Sequence, residues 1–126
     1  MTVHQALLLL LLLEFKHLWI DWIWQTQAEI NNKGTYGHLK GICHSVKHAI
    51  GSMVCCFLFL PLSAFHILLL IFLIDFLIHY HVDWAKMYVM KMTNWVVKDP
   101  GYWWSMGIDQ FLHHATYIML VFFLTW

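Results

Sequence analysis

The 126-residue chain is 61% apolar and only 11% charged, whereas soluble domains run near ~45–50% and ~25%. Seven lysines and seven acidic residues give zero net charge, too few charges to cover the surface of a soluble domain of this size. Arginine is absent and no basic block exists, which excludes nucleic-acid binding by phosphate neutralisation.

A bilayer core needs about 20 apolar residues in a helix, and the chain offers four such segments. Residues 1–15 lack a positive leader and a small-residue cleavage site. The apolar pattern also continues through Trp19, Ile20, Trp22 and Ile23, so a retained membrane helix is expected rather than a signal peptide. This first segment runs from Ala6 to about Ala28. Asn31, Asn32, Lys33, Gly34 and Gly37 predict a polar turn. The second segment runs from Gly41 to Leu60 and stops at Pro61, which cannot donate to a preceding turn. Ser63 is the expected N-cap of the third, Ala64 to Met92. Lys98, Asp99, Pro100 and Gly101 give the next turn signal. Tyr102, Trp103 and Trp104 suit an aromatic belt. The fourth segment covers 105–126.

The expected architecture is therefore all-α: one domain, residues 1–126, forming an integral membrane bundle of four transmembrane helices. The tight turn at Pro61 makes the second and third an antiparallel hairpin. Lys33 and Lys40 lie between the first two segments, and Lys86, Lys91 and Lys98 between the last two. The positive-inside rule then places both connections in the cytoplasm and both termini on the other side. Cys43, Cys55 and Cys56 form no C-x-x-C pair and read as small packing residues.

Charged residues within spans are costly and usually face the bundle interior. Here they recur at the three- and four-residue spacing that puts side chains on one helix face. The first segment carries Glu14, His17, Asp21 and Gln25, and the second His44, His48 and Ser52. The third carries Asp75, His79, Asp83 and Lys86, and the fourth Asp109 and His113, with Gln110 and His114 beside them. Antiparallel spans bring these sets to one level, which predicts a shared site in the cytoplasmic half. Imidazole and carboxylate on facing helices is how helix bundles hold metals. The expected ligands are His17, Asp21, His44, His48, His79, Asp83, Asp109 and His113. These exceed the four that one zinc takes; two metals, or one metal with supporting carboxylates, fit the surplus. Zinc, manganese and iron are the expected divalent ions, and Asp21, Asp83 and Asp109 the candidate catalytic carboxylates. The alternative is that each His/Asp pair only satisfies a polar group and fixes helix register.

Other residues fall outside that site. His81 and His114 point away from their stripes, His4 and His66 lie near the outer face, and His38 sits in a loop as a possible access-side ligand. Lys86 is expected to snorkel to the interface. Trp19, Trp22 and Trp24 suit headgroups or neighbouring helices. Asp75 lies deeper than the rest.

Three runs carry a likeness to a known family. They are His79-Tyr80-His81-Val82-Asp83-Trp84-Ala85-Lys86, Asp109-Gln110-Phe111-Leu112-His113-His114, and His17-x-x-x-Asp21-x-x-x-Gln25-Thr26. Together they resemble a family of small bacterial and phage membrane proteins catalogued only as a domain of unknown function, over about Leu13 to Leu120. The run at His79 is most similar to versions from tailed phages of marine cyanobacteria. His44 and His48 are not clearly part of the likeness. The resemblance implies a polytopic helical protein of the bacterial inner membrane and no particular activity.

Three functions remain open at this stage. One is a metal-dependent hydrolase of a lipid or headgroup. A second is a metal-ion or proton transporter, in which Asp75 extends the path. A third is a non-enzymatic phage protein that modulates a host membrane complex. Partners would be the lipid bilayer, further copies of the chain, or a host membrane protein. Haem held by two histidines fits less well, because carboxylates beside imidazoles suit harder metals. Phosphate-loop and nucleophile-elbow motifs are absent from the sequence.

Overall fold

The computed structural model describes residues 1–125 and is all-α, with no strand among them. Five α-helices follow one another: α1 Val3–Leu18, α2 Gln27–Asn32, α3 Leu39–Phe57, α4 Phe65–Thr93 and α5 Pro100–Thr125. A π-helical turn, Trp19–Ile23, extends α1, and a 3-10 turn, Leu62–Ala64, precedes α4. Trp126, the expected end of the fourth segment, lies outside the described residues.

Local chemistry sets the helix ends. Thr2 opens α1 through a capping box: its hydroxyl accepts from Gln5 N at 3.2 Å, and the Gln5 side chain accepts from Thr2 N at 2.9 Å. Thr26 and Glu29 repeat that device at α2. His38 caps α3, its Nδ1 accepting from Lys40 N. Asn94, in the left-handed region with φ 54°, ends α4. Pro100 is the first residue of α5, where its missing N–H is harmless.

Three boundaries differ from expectation. The segment 6–28 is not one helix; it turns π-helical at Trp19, breaks at Trp24–Thr26 and restarts as α2, because Thr26 and Glu29 nucleate a new helix. Ser63 does not cap α4: it lies inside the 3-10 turn, where Ala64 N donates to the Pro61 carbonyl oxygen. The last helix starts at Pro100 rather than near Ser105.

The long helices pack in a closed ring, α1 on α3, α3 on α4, α4 on α5 and α5 on α1. One end of the ring is filled by an apolar plug of Leu9, Leu13, Cys56, Leu68, Ile71, Leu120 and Val121, with Tyr117 at its edge. The other end buries polar groups instead, described below. Many large apolar side chains face outward, among them Leu11, Phe15, Val54, Leu73, Phe111, Met119 and Phe123. One helix among the described residues, Leu62–Thr93 with the 3-10 turn included, is long and apolar enough to cross a membrane, with a mean hydropathy of 2.2 over its most apolar window.

Gly51 in α3 makes room for Lys16. A Cβ there would lie 2.7 Å from Lys16 Cγ and 2.8 Å from Lys16 Cδ, whose ammonium group is anchored beyond. A helix-interior glycine ordinarily costs about 1 kcal/mol relative to alanine. Gly51→Ala is nevertheless expected to destabilise, by about 1–3 kcal/mol for an overpacked contact. Thermal unfolding in detergent checks this; a stabilised variant would contradict the placement of Lys16.

Candidate metal centre

Each long helix delivers its polar stripe to the same level. His17 and Asp21 come from the end of α1 and its π-turn, and His44 and His48 from the first turns of α3. His79 and Asp83 come from the second half of α4, and Asp109 and His113 from the first half of α5. Neighbouring helices must therefore run antiparallel. The π-turn inserts an extra residue into α1 where Asp21 must point inward, and such turns recur at functional sites.

Asp21 Oδ1 is the hub. It lies 3.1 Å from His44 Nε2, 3.0 Å from His48 Nε2 and 4.0 Å from His79 Nε2. His79 Nε2 is 3.3 Å from His44 Nε2. A tetrahedral ion bound at about 2.0–2.1 Å holds neighbouring ligand atoms about 3.3–3.4 Å apart, near the three shorter of these spacings, while His79 stands farther from Asp21. His17 Nε2 approaches the other Asp21 oxygen at 3.4 Å.

A second group shares His79. Asp83 Oδ2 lies 3.6 Å from His79 Nε2 and 3.3 Å from His44 Nε2. His113 Nε2 is 3.6 Å from Asp109 Oδ1 and 3.9 Å from Asp83 Oδ1. The rings of His48, His79 and His113 form a stack, with centroids 3.6 Å and 4.1 Å apart. Each of the two groups, Asp21/His44/His48/His79 and His79/Asp83/His113, offers ligand atoms within 4.8 Å of one another.

Hydrogen bonding within the protein does not satisfy this cluster. His48 Nδ1, His79 Nδ1, Asp83 Oδ2, Asp109 Oδ1 and His113 Nε2 are buried without a hydrogen-bond partner among the described residues. Buried polar atoms nearly always find partners, and an ion or ordered water is the common reason for an exception.

Three lysines pair with three of the carboxylates in and around the cluster. Lys16 Nζ pairs with Asp75 at 3.2 Å, Lys33 Nζ with Asp83 at 3.1 Å and Lys86 Nζ with Asp109 at 2.9 Å. Among the described residues Asp21 pairs with imidazoles and with no lysine. With neutral imidazoles, the carboxylates of Asp21, Asp75, Asp83 and Asp109 meet the ammonium groups of Lys16, Lys33 and Lys86, and one negative charge is left over, at Asp21. A buried charge is costly unless it is compensated, so Asp21/His44/His48/His79 is the group most in need of a cation.

Toward the plug the polar network continues for one more layer. Lys16 Nζ also donates to Tyr117 Oη at 2.9 Å and to the His48 carbonyl oxygen at 3.3 Å. Tyr117 Oη lies 3.1 Å from His17 Nδ1, and Ser52 Oγ donates to Asp75 Oδ2 at 2.6 Å.

Residues 7–126 match the model of a family described as a protein of unknown function, DUF3307. The chain belongs to that family. No curated protein and no solved structure matches it. The site of this DUF3307 member is therefore read from its own residues.

The eight expected ligand residues all meet in one cluster, His44 and His48 included. His81 and His114 stay outside it, as their helical phase requires. His81 bonds the Leu77 carbonyl and Tyr36, and His114 pairs with Glu14. That pair draws Glu14 off the stripe it was assigned to. His4 and His66 are exposed, and His38 serves as a helix cap. Lys86 does not snorkel: it is buried between Asp83 and Asp109, because two carboxylates hold it more firmly than the interface would. Lys16, Lys33 and Tyr117 join the site from outside the expected set. Tyr117 continues the Asp109/His113 spacing by one turn, so its place was legible. Lys16 and Lys33 follow no such stripe.

The break after the π-turn is itself fastened to α3. Lys47 Nζ pairs with Glu29 at 2.6 Å, lies 3.5 Å from the Trp24 carbonyl oxygen and sits 5.0 Å over the Trp24 ring. Burial pushes the Glu29 carboxyl up, but Lys47 and the hydrogen bonds from Thr26 outweigh it and hold the group below the ordinary glutamate range. A depressed carboxylate adds stability above its unfolded value and loses it as pH falls. Glu29→Gln keeps the capping box but removes the ion pair with Lys47, and is therefore expected to lower the melting temperature at pH 7 by the loss of about 0.2–1 kcal/mol. The gap to the unmodified chain should close as pH drops through the carboxylate range. A gap that keeps its pH 7 size as pH falls through and below the ordinary carboxylate range would contradict the pairing.

Proposed function

We propose that this chain is a four-span membrane protein that binds a divalent metal ion at Asp21, His44, His48 and His79 and uses it to hydrolyse a lipid or its headgroup. The observation that carries the reading is the convergence of three imidazole nitrogens on one carboxylate that lacks a lysine of its own. The nitrogen-and-oxygen donor set suits zinc, manganese or iron.

The membrane setting is supported by the inverted distribution of residues, polar groups inside and large apolar side chains outside. At 1.5 Å per residue, the 19 residues of α3 reach about 28 Å, close to a bilayer core. The helices other than α4 carry much of the buried site, which lowers their mean hydropathy. Lys40, Lys91 and Lys98 remain exposed at the site end of the ring, and they favour a cytoplasmic placement of that end, with both termini opposite. The likeness to phage versions noted above favours the bacterial inner membrane.

A bound divalent ion supplies an activated water at neutral pH. Asp83 Oδ2, free of hydrogen bonds and beside His44 and His79, would be the group to hold a proton given up there. Asp109 acts less directly: its Oδ2 holds Lys86, and Gln110 donates to the same oxygen at 3.1 Å. Asp21 serves as ligand rather than base, because its oxygens already face four imidazoles.

Metal-loaded and metal-stripped protein incubated with phospholipid vesicles tests the reading, with products read by mass spectrometry. Turnover by the loaded form alone is expected, and its abolition in His48→Ala. Equal product from both forms, or none, would remove the enzymatic reading.

Transport is the second reading, favoured by the buried chain from His17 through Tyr117 and Lys16 to Asp75 and Ser52. That chain ends against the apolar plug. Metal flux into liposomes that disappears in Asp75→Asn would favour it.

A further inference from the structure

A cleft of about 260 Å³ with a mixed polar and apolar wall opens beside Asp21, at the break between α1 and α2. Its walls include Asp21, Gln25, Lys33, Lys86 and Gln110. The other large clefts among the described residues are walled chiefly by apolar side chains. Sites for drug-sized molecules run to about 300–1,000 Å³, so this one suits a headgroup-sized ligand.

The charges around the cleft set the sign of that ligand. With neutral imidazoles and no metal, the carboxylates of Asp21, Asp75, Asp83 and Asp109 exceed the ammonium groups of Lys16, Lys33 and Lys86 by one, and an anion would be repelled. A divalent ion at Asp21 reverses the balance to one positive charge. One singly charged anion then returns the interior to neutrality, the state a low-dielectric environment favours. Lys33 and Lys86 line the cleft with their ammonium groups paired to Asp83 and Asp109, and an anion entering there would share those ammonium groups with the carboxylates. The Gln25 and Gln110 side chains line the same wall, with their amide nitrogens on His44 and Asp109.

We propose that this cleft binds a singly charged phosphate-type oxyanion, such as a phosphodiester, next to the metal and only after the metal has bound. The inference rests on the metal centre proposed above and names the class of ligand it takes. Metal and anion bind in order, because Asp21 keeps the cleft negative until its charge is met.

The test uses the full chain in phosphatidylcholine nanodiscs, with manganese as the metal and radiolabelled orthophosphate as the probe, both measured in the same equilibrium-dialysis samples. The expected result is one manganese per chain, phosphate retained by the loaded form, and little or none by the stripped form. Lys33→Met and Lys86→Met should weaken phosphate retention at least tenfold while manganese is still bound. Should either variant fail to fold, the comparison of loaded with stripped wild type decides alone. Phosphatidylglycerol in the nanodisc identifies the source. Displacement of the labelled phosphate points to a lipid headgroup, and retention points to the free ion. Manganese bound without phosphate would overturn the anion site and leave the metal centre standing. Phosphate held equally with and without manganese would overturn the ordered binding. A chain that takes up no manganese would overturn the metal centre, and the anion site with it.

Discussion

Asp21→Asn is expected to abolish stoichiometric divalent binding while leaving the helices folded. The substitution keeps shape and removes the one buried carboxylate that no lysine balances. Loss of even a supporting residue around a metal lowers affinity about 10–100-fold; loss of the charged ligand itself should exceed that. The fold should tolerate the change because no ammonium group is left unpaired by it. The three carboxylates that do have lysines provide the contrast, since neutralising any of them strands a buried cation. Metal content after dialysis, alongside circular dichroism and thermal unfolding, reads both halves of this expectation. An Asp21→Asn protein that retains a full equivalent of metal would show that the ion sits elsewhere, with His79/Asp83/His113 as the remaining candidate.

The second large effect belongs to stability. Lys16 and Asp75 form an ion pair between the metal-ligating layer and the apolar plug, and both side chains are buried. Removing one partner of a buried pair strands the other and costs about 3–5 kcal/mol. Lys16→Met and Asp75→Leu should each destabilise by that much. The double variant should recover most of the loss, because replacing both charges by apolar groups is often neutral or better. Ser52 can then turn its hydroxyl to the carbonyl one turn back in α3, a common resort for helical serine. Additive losses in the double variant would show that the two residues do not interact. A native Lys16→Met protein would show that the ammonium group is not confined here.

Much of the site was legible because helical periodicity is a strong constraint. His17 with Asp21, His79 with Asp83, and Asp109 with His113 are each four residues apart, and their depths match only if neighbouring helices are antiparallel. The same logic extended by one turn reaches Tyr117, which completes the stripe of α5. Lys16 was hidden for a physical reason. A lysine in an apolar helix usually extends its stem to water, and only the space left by Gly51, across the interface on α3, shows that this one turns inward. Lys33 was hidden by its place in a loop, since nothing local indicates that α2 folds it back onto Asp83. The break after Asp21 carried a sequence signature, Thr26 followed three residues later by Glu29, that the continuous apolar pattern obscured. The carboxylates and imidazoles were thus readable as stripes, whereas their neutralising lysines depended on tertiary packing.

X-ray absorption at the metal edge of protein purified without added metal, or loaded with zinc, is the most direct measurement. It should show one ion per chain with imidazole nitrogens and carboxylate oxygen at about 2.0–2.2 Å. A folded chain that carries no metal, and takes up neither zinc, manganese nor iron, would mean that the imidazoles around Asp21 serve only to hold the helices together.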